Sequence, residues 1–216
     1  MKITLNLLTI IFFVSVSLSS NPVSAKRAAI IIDYDTQEVL FEVNADTLNY
    51  PASLAKIMTL YIVFDYLDKN KLSWDAKMKV SETAASRSPS KLYLEKDSSI
   101  NVRDAVMALI VKSANDVATV IAEHIAGTER DFAKLMTKYA KQIGMDKTTF
   151  KNASGLPNRA QLTTARDMAT LSYFLIRNFP EEYKLFNKKR FVWKDKTYEN
   201  HNKLMKSYEG ADGIKT

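Results

Sequence analysis

The stretch PASLAKIMTLYIVFDYL, residues 51 to 67, constrains the fold of this chain more than any other. From Ile57 to Leu67 it is almost continuously apolar, so a helix here has no polar face to turn towards water and has to be enclosed on all sides. It reads as the core helix of a packed domain. With 216 residues, 46% of them hydrophobic and 25% charged, the chain has the material for one such core and none of the composition of a disordered segment.

The rest of the chain reads as shorter elements arranged around that helix. Residues 28 to 43, AAIIIDYDTQEVLFEV, place two β-branched runs around a polar Asp33 to Gln37 turn, the pattern of an antiparallel hairpin. Residues 73 to 99 are polar and interrupted by Ser88-Pro89, which predicts irregular structure with short strands. A capped start at Asn101 to Asp104 opens a helical period up to Lys112, and a second helix follows from about Asn115 to Ile125. Thr128 to Asp131 and Thr164 to Asp167 are capping boxes that open amphipathic runs over 129 to 143 and 165 to 178. Between those runs NASGLPN, residues 152 to 158, reads as a turn. After Pro180 come a short helix and then RFVWKDKTYEN, residues 190 to 200, a two-stranded excursion. Strands, many helices and returning strands predict an α+β fold in which the N-terminal hairpin and the late strands share one sheet.

The first 25 residues belong to a different category. A lone Lys2, an apolar run from Leu7 to Leu18 and the small-x-small triplet Val23-Ser24-Ala25 form the pattern of a secretory signal peptide, so the mature domain spans 26 to 216. Cysteine is absent, which excludes disulfides, thiol chemistry and a lipid-modified cysteine. The net charge of +7 is spread along the chain without a basic block, and an exported basic protein suits membrane surface or wall polymer better than nucleic acid. Export to a periplasm, or to the wall side of a cytoplasmic membrane, fits these features.

One residue of the core helix sits badly. Lys56 places a cation in the first turn, against the positive end of the helix dipole. Ser53 precedes it by three residues, so the two side chains share a face. Burial and the dipole both favour a neutral amine, and a neutral amine can take a proton from a serine hydroxyl. On spacing alone, an N-cap serine with a snorkelling lysine explains the pattern equally well. The chain also supplies a control: Ser88 to Lys91 has the same S-x-x-K spacing, but a proline and polar neighbours make it a chance match. Ser113-Ala114-Asn115 at the junction of two helical runs reads, taken by itself, as a helix cap. The terminus, Asp212-Gly213-Ile214-Lys215-Thr216, reads by itself as an exposed tail. His124 lies in an apolar helical run and His201 after the late strands; they are too far apart in sequence to suggest a metal site, and no G-x-S-x-G elbow surrounds any serine.

Taken together and in order, S-x-x-K, S-x-N and K-T discriminate better than any one of them, because these elements occur as a set in penicillin-binding proteins and class A β-lactamases. The segments YPASLAKIMTLYIVFDYL, VKSANDVA, FKNASGLP, TTARDMA and GADGIKT resemble the low-molecular-weight penicillin-binding D-alanyl-D-alanine carboxypeptidases, from about Lys26 to the last residue. The resemblance implies a β-lactamase/transpeptidase-like fold, with an antiparallel sheet flanked by a helical subdomain. It also implies removal of the terminal D-alanine from peptidoglycan pentapeptides through an acyl-enzyme, with no cofactor and no metal. Carried over, Ser53 is the nucleophile, Lys56 its base and Ser113 a proton relay. Asn115 then holds the substrate backbone, Lys215 adds positive charge and Thr216 bonds the terminal carboxylate. Peptidoglycan stem peptides are the implied partners and β-lactams the implied covalent inhibitors. The deacylating glutamate of a class A lactamase has no counterpart in NASGLPNRAQLTTARD, which favours the carboxypeptidase.

The pattern breaks at its end. The family's K-T-G continues into a strand bordering the cleft, and the residue after that glycine supplies an oxyanion donor whose loss typically costs about a hundred- to a thousandfold in rate. The given sequence stops at Thr216. It therefore predicts a hairpin with an unpaired edge and an uncovered apolar face, and no C-terminal domain or amphipathic anchor. A truncated chain that binds peptidoglycan or β-lactam without turnover is the alternative to a carboxypeptidase.

Overall fold

The computed structural model describes residues 27–215. The signal peptide read over residues 1–25 and Thr216 lie outside these described residues. The chain begins with β1 (Ala29–Ile32) and β2 (Val39–Val43), an antiparallel hairpin that pairs Ala29 with Val43 and Ile31 with Phe41. Its turn is shaped by Asp33, whose carboxylate accepts the Thr36 N–H at 2.8 Å and the Asp35 N–H at 3.1 Å. Every residue of β2 is exposed, and Leu40 and Phe41 have more than half their surface in solvent, at 60% and 51%.

The core helix α1 runs from Ala55 to Asp68, and every residue from Ala55 to Phe64 is buried. It is enclosed by three amphipathic helices, α4 (Asn115–Ala126), α5 (Glu129–Gln142) and α6 (Ala165–Asn178). The expected caps form. The Asn101 side chain accepts the Asp104 N–H at 2.7 Å and opens α3 (Val102–Met107). Thr128 and Thr164 accept the N–H groups of Asp131 and Asp167, each at 3.0 Å. Between β1–β2 and α4 the polar stretch contributes β3 (Lys77–Lys79), the short α2 (Glu82–Ala85) and β4 (Ser99–Asn101), with β3 and β4 paired.

Two expectations need correction. The helical period read through to Lys112 widens after α3 into a π-turn, Ala108–Lys112, which ends at Ser113 in a left-handed conformation (φ 58°, ψ 39°). The late strands β5 (Arg190–Trp193) and β6 (Lys196–Glu199) do not join the N-terminal hairpin; among the described residues each pairs only with the other. Phe191, Trp193 and Tyr198 supply the reason. These rings find apolar surface on the helical core, where β5 and β6 lie against the π-turn, whereas β1 lies against α6. The fold is α+β, with three separate two-stranded sheets around the helices among the described residues.

Candidate active site

Ser53 lies in a tight turn, Ala52–Leu54, that precedes α1. The N-cap of α1 is Leu54, which makes no side-chain capping bond, so the capping reading of Ser53 does not hold. Neither does the snorkelling reading of Lys56. That side chain is fully buried, and its Nζ donates to Asn115 Oδ1 at 2.8 Å and to the Ser154 carbonyl at 2.5 Å. Burial, followed by the nearby charge of Lys215, pushes its pKa down to about 7. A neutral amine is therefore accessible near neutral pH. It carries two N–H donors and one lone pair, and the two acceptors occupy the donors.

Asn115 is the first residue of α4, whose N-cap is Ala114, so it is not a cap either. Its amide orientation follows from its neighbours: Nδ2 donates to the Ser88 carbonyl at 3.0 Å, leaving Oδ1 for Lys56. The backbone N–H of Asn115 donates to the Ser90 carbonyl at 2.7 Å, and the Ser90 hydroxyl donates to the Lys112 carbonyl at 2.9 Å. The chance S-x-x-K match thus lends its backbone to the site, while Lys91 donates to the Ala85 carbonyl at 3.0 Å. Ser113 is buried, and its hydroxyl is the one buried side-chain polar atom among the described residues without a hydrogen-bond partner. An unsatisfied buried hydroxyl in strained backbone is costly and marks a place where a reacting group can complete the bonding.

The loop over the site approaches closely. Gly155 has φ +85°, and a Cβ there would fall 1.7 Å from the Ala52 carbonyl oxygen. Only glycine permits that contact, which presses residues 152 to 155 against the turn carrying Ser53. Thr59, one turn beyond Lys56 on the same face, donates to the Ala153 carbonyl at 2.8 Å. The Ser53, Lys56, Thr59 spacing was a readable signal for this third polar residue in an apolar run.

Residues 211–215 are not an exposed tail. Asn202 donates to the Gly213 carbonyl at 3.1 Å, the Tyr183 hydroxyl donates to Asp212 at 2.7 Å, and Ile214 packs on the core. Lys215 is brought close enough to depress Lys56, and burial pushes its own pKa down to about 8. His201 is exposed, yet the desolvation of its ring, followed by the charges of Lys112 and Lys215, holds its pKa below the usual imidazole value. His124 is exposed in the last turn of α4. Among the described residues no group of three His, Cys, Asp or Glu side chains is placed to hold a metal ion. Sequence reading also missed Asp116, fully buried, which accepts the Leu92 and Leu94 N–H groups, each at 3.1 Å.

Comparison with known proteins identifies the family. Residues 15–216 match the family model described as D-alanyl-D-alanine carboxypeptidase. The chain is 36% identical over 198 residues to the D-alanyl-D-alanine carboxypeptidase DacF of Bacillus subtilis, covering 88% of this chain and 50% of that protein. The crystal structure of the D-alanyl-D-alanine carboxypeptidase DacD of Francisella tularensis superposes with a TM-score of 0.85 at 34% identity, covering 88% of this chain and 58% of the other. An ampicillin-bound penicillin-binding protein of Listeria monocytogenes superposes with a TM-score of 0.79 at 35% identity, covering 91% and 80%. The chain spans about half the length of the curated relatives it matches.

Proposed function

Because the chain belongs to the D-alanyl-D-alanine carboxypeptidase family, we propose that it removes the terminal D-alanine from peptidoglycan stem peptides through an acyl-enzyme on Ser53. The observation that carries this reading is Lys56, a fully buried lysine one helical turn from Ser53 whose pKa is pushed down to about 7. In water such an amine would be protonated and useless as a base; here a large fraction of it is neutral near physiological pH.

The Ser53 hydroxyl attacks the carbonyl carbon of the penultimate residue and its proton passes to Lys56. Collapse of the tetrahedral adduct breaks the C–N bond, and the departing D-alanine amine takes a proton through the Ser113 hydroxyl. Water then attacks the ester, Lys56 accepts its proton and returns it to Ser53 Oγ as the acyl C–O bond breaks, which frees the shortened peptide and restores both groups. Asn115 holds Lys56 in place and faces the substrate backbone, while Lys215 and Thr216 receive the terminal carboxylate. A β-lactam, offering a strained amide beside a carboxylate, acylates Ser53 by the first half of the same sequence.

Residues 26–216 form the peptidase domain in this reading and residues 1–25 direct its export. The leader pattern, the absence of cysteine and the basic charge support work at the wall side of the cytoplasmic membrane, in contact with anionic surfaces. No helix among the described residues is long and apolar enough to cross a membrane. The test is labelling of the full-length protein with a fluorescent penicillin, followed by mass mapping. Label on Ser53, together with release of D-alanine from a pentapeptide, is the expected result. Acylation without D-alanine release would reduce the protein to a β-lactam binder.

A further inference from the structure

A carboxylate that does not line the reactive turn governs the loop on which Lys56 depends. Glu129 opens α5 with only 13% of its side chain exposed, and it is paired with Arg87, itself 28% exposed. Its Oε1 accepts the Ala153 N–H at 3.2 Å and lies 3.4 Å from the Thr119 hydroxyl, which in turn accepts the Arg87 Nε–H at 2.9 Å. The opposite side of the same loop residue is held by α1, because the Ala153 carbonyl accepts from Thr59 at 2.8 Å. The next carbonyl, that of Ser154, receives one of the Lys56 N–H groups.

Ala153 is therefore clamped at its N–H by α5 and at its C=O by α1, and the clamp presents the Ser154 carbonyl to the amine. That carbonyl matters because of where it leaves the lone pair. With Asn115 Oδ1 and the Ser154 carbonyl occupying both hydrogens of a neutral Lys56, the lone pair has one remaining direction. Withdraw the carbonyl and the amine rotates freely, so a hydrogen can point where the lone pair should be. Arg87 neutralises Glu129, which makes its influence geometric.

We propose that Glu129, paired with Arg87, is a positioning residue that aims the Lys56 amine through the Ala153–Ser154 segment. This rests on the acyl-enzyme reading above and deepens it. The test uses the full-length protein and measures the rate of Ser53 acylation by a fluorescent penicillin, per titratable active site, at a pH of about 7.5, between the values at which Lys56 and Lys215 lose their protons. Glu129→Ala should slow that maximal rate about tenfold or more, the scale of loss for a misaligned base. Thr59→Val, which removes a single buried hydroxyl, should slow the same step. Arg87→Gln combined with Glu129→Gln discards both charges but keeps an acceptor oxygen for Ala153, and should recover most of the rate.

Three results would overturn the inference. One is a Glu129→Ala protein that reacts at the wild-type rate per active site, including the case where only the number of titratable sites drops. The second is a paired amide variant as slow as Glu129→Ala. The third is an unaffected Thr59→Val protein, which decides the matter even if Glu129→Ala does not fold. A wild-type protein that takes no label on Ser53 sinks the acyl-enzyme reading and the inference together, whereas a labelled wild type with an indifferent Glu129 sinks the inference alone.

Discussion

Lys56 Nζ and Asn115 Oδ1 stand 2.8 Å apart although 59 residues of chain separate them. This contact ties the foot of the core helix to the start of α4, and it turns two residues with ordinary local explanations into one site. The predictions that follow depend on that assembly.

The pH dependence of acylation should have two limbs. Lys56 loses its proton above about 7, because burial and then Lys215 disfavour its charge, and Lys215 stays cationic only below about 8. Acylation that needs a neutral Lys56 and a charged Lys215 rises through the first value and falls through the second, with both belonging to the coupled pair. A penicillin-labelling profile from about pH 6 to about pH 9 measures this, and a flat profile would contradict it.

Ser53→Ala should abolish labelling, while Ser88→Ala should leave it intact. The contribution of Ser88 to the site is its backbone carbonyl, which accepts from Asn115 at 3.0 Å and survives the substitution. Loss of label in the Ser88 variant would move the nucleophile to the other S-x-x-K match.

Gly155→Ala should destabilise the fold and disable the site together. A methyl group there would meet the Ala52 carbonyl oxygen at 1.7 Å and the Ala52 carbonyl carbon at 2.4 Å, from a backbone at φ +85°. Backbone cannot step aside as a flexible side chain would, so a loss of about 3 kcal/mol or more is expected. Denaturant unfolding measures it.

Ser113→Ala should separate stability from rate. The hydroxyl is buried and makes no hydrogen bond, so deleting it removes an unsatisfied polar group and should leave the melting temperature unchanged or raised. Turnover of a pentapeptide should fall if the hydroxyl relays the proton to the leaving amine. A destabilised variant with full turnover would refute both halves.

Stability should climb with pH because of Lys56. Its folded pKa of about 7 lies below the ordinary lysine value of 10.5, so between those values the unfolded chain binds more protons and rising pH favours the folded state. Below about 7 the cost of the buried cation is fully present. Thermal melts of wild type and Lys56→Met across this range should show a pH slope in the former that is smaller in the latter by the Lys56 share.

What the sequence determined by itself was local. The caps at Asn101, Thr128 and Thr164, the hairpin turn at Asp33 and the all-buried run after Lys56 each depend on residues a few positions apart, and each is found where the pattern places it. The α+β class and the family resemblance were legible for the same reason. Tertiary structure decided the rest. Whether Lys56 snorkels or is buried depends on acceptors at Asn115 and Ser154, which helix packing and the close approach of Gly155 bring to it from distant parts of the chain. The late strands paired with each other, away from the first hairpin, because Phe191 and Tyr198 found apolar surface elsewhere, and strand propensity carries no information about which surface is free. Periodicity and caps are governed by neighbours in the chain, whereas desolvation of a lysine is governed by neighbours in space, and only the folded packing supplies those.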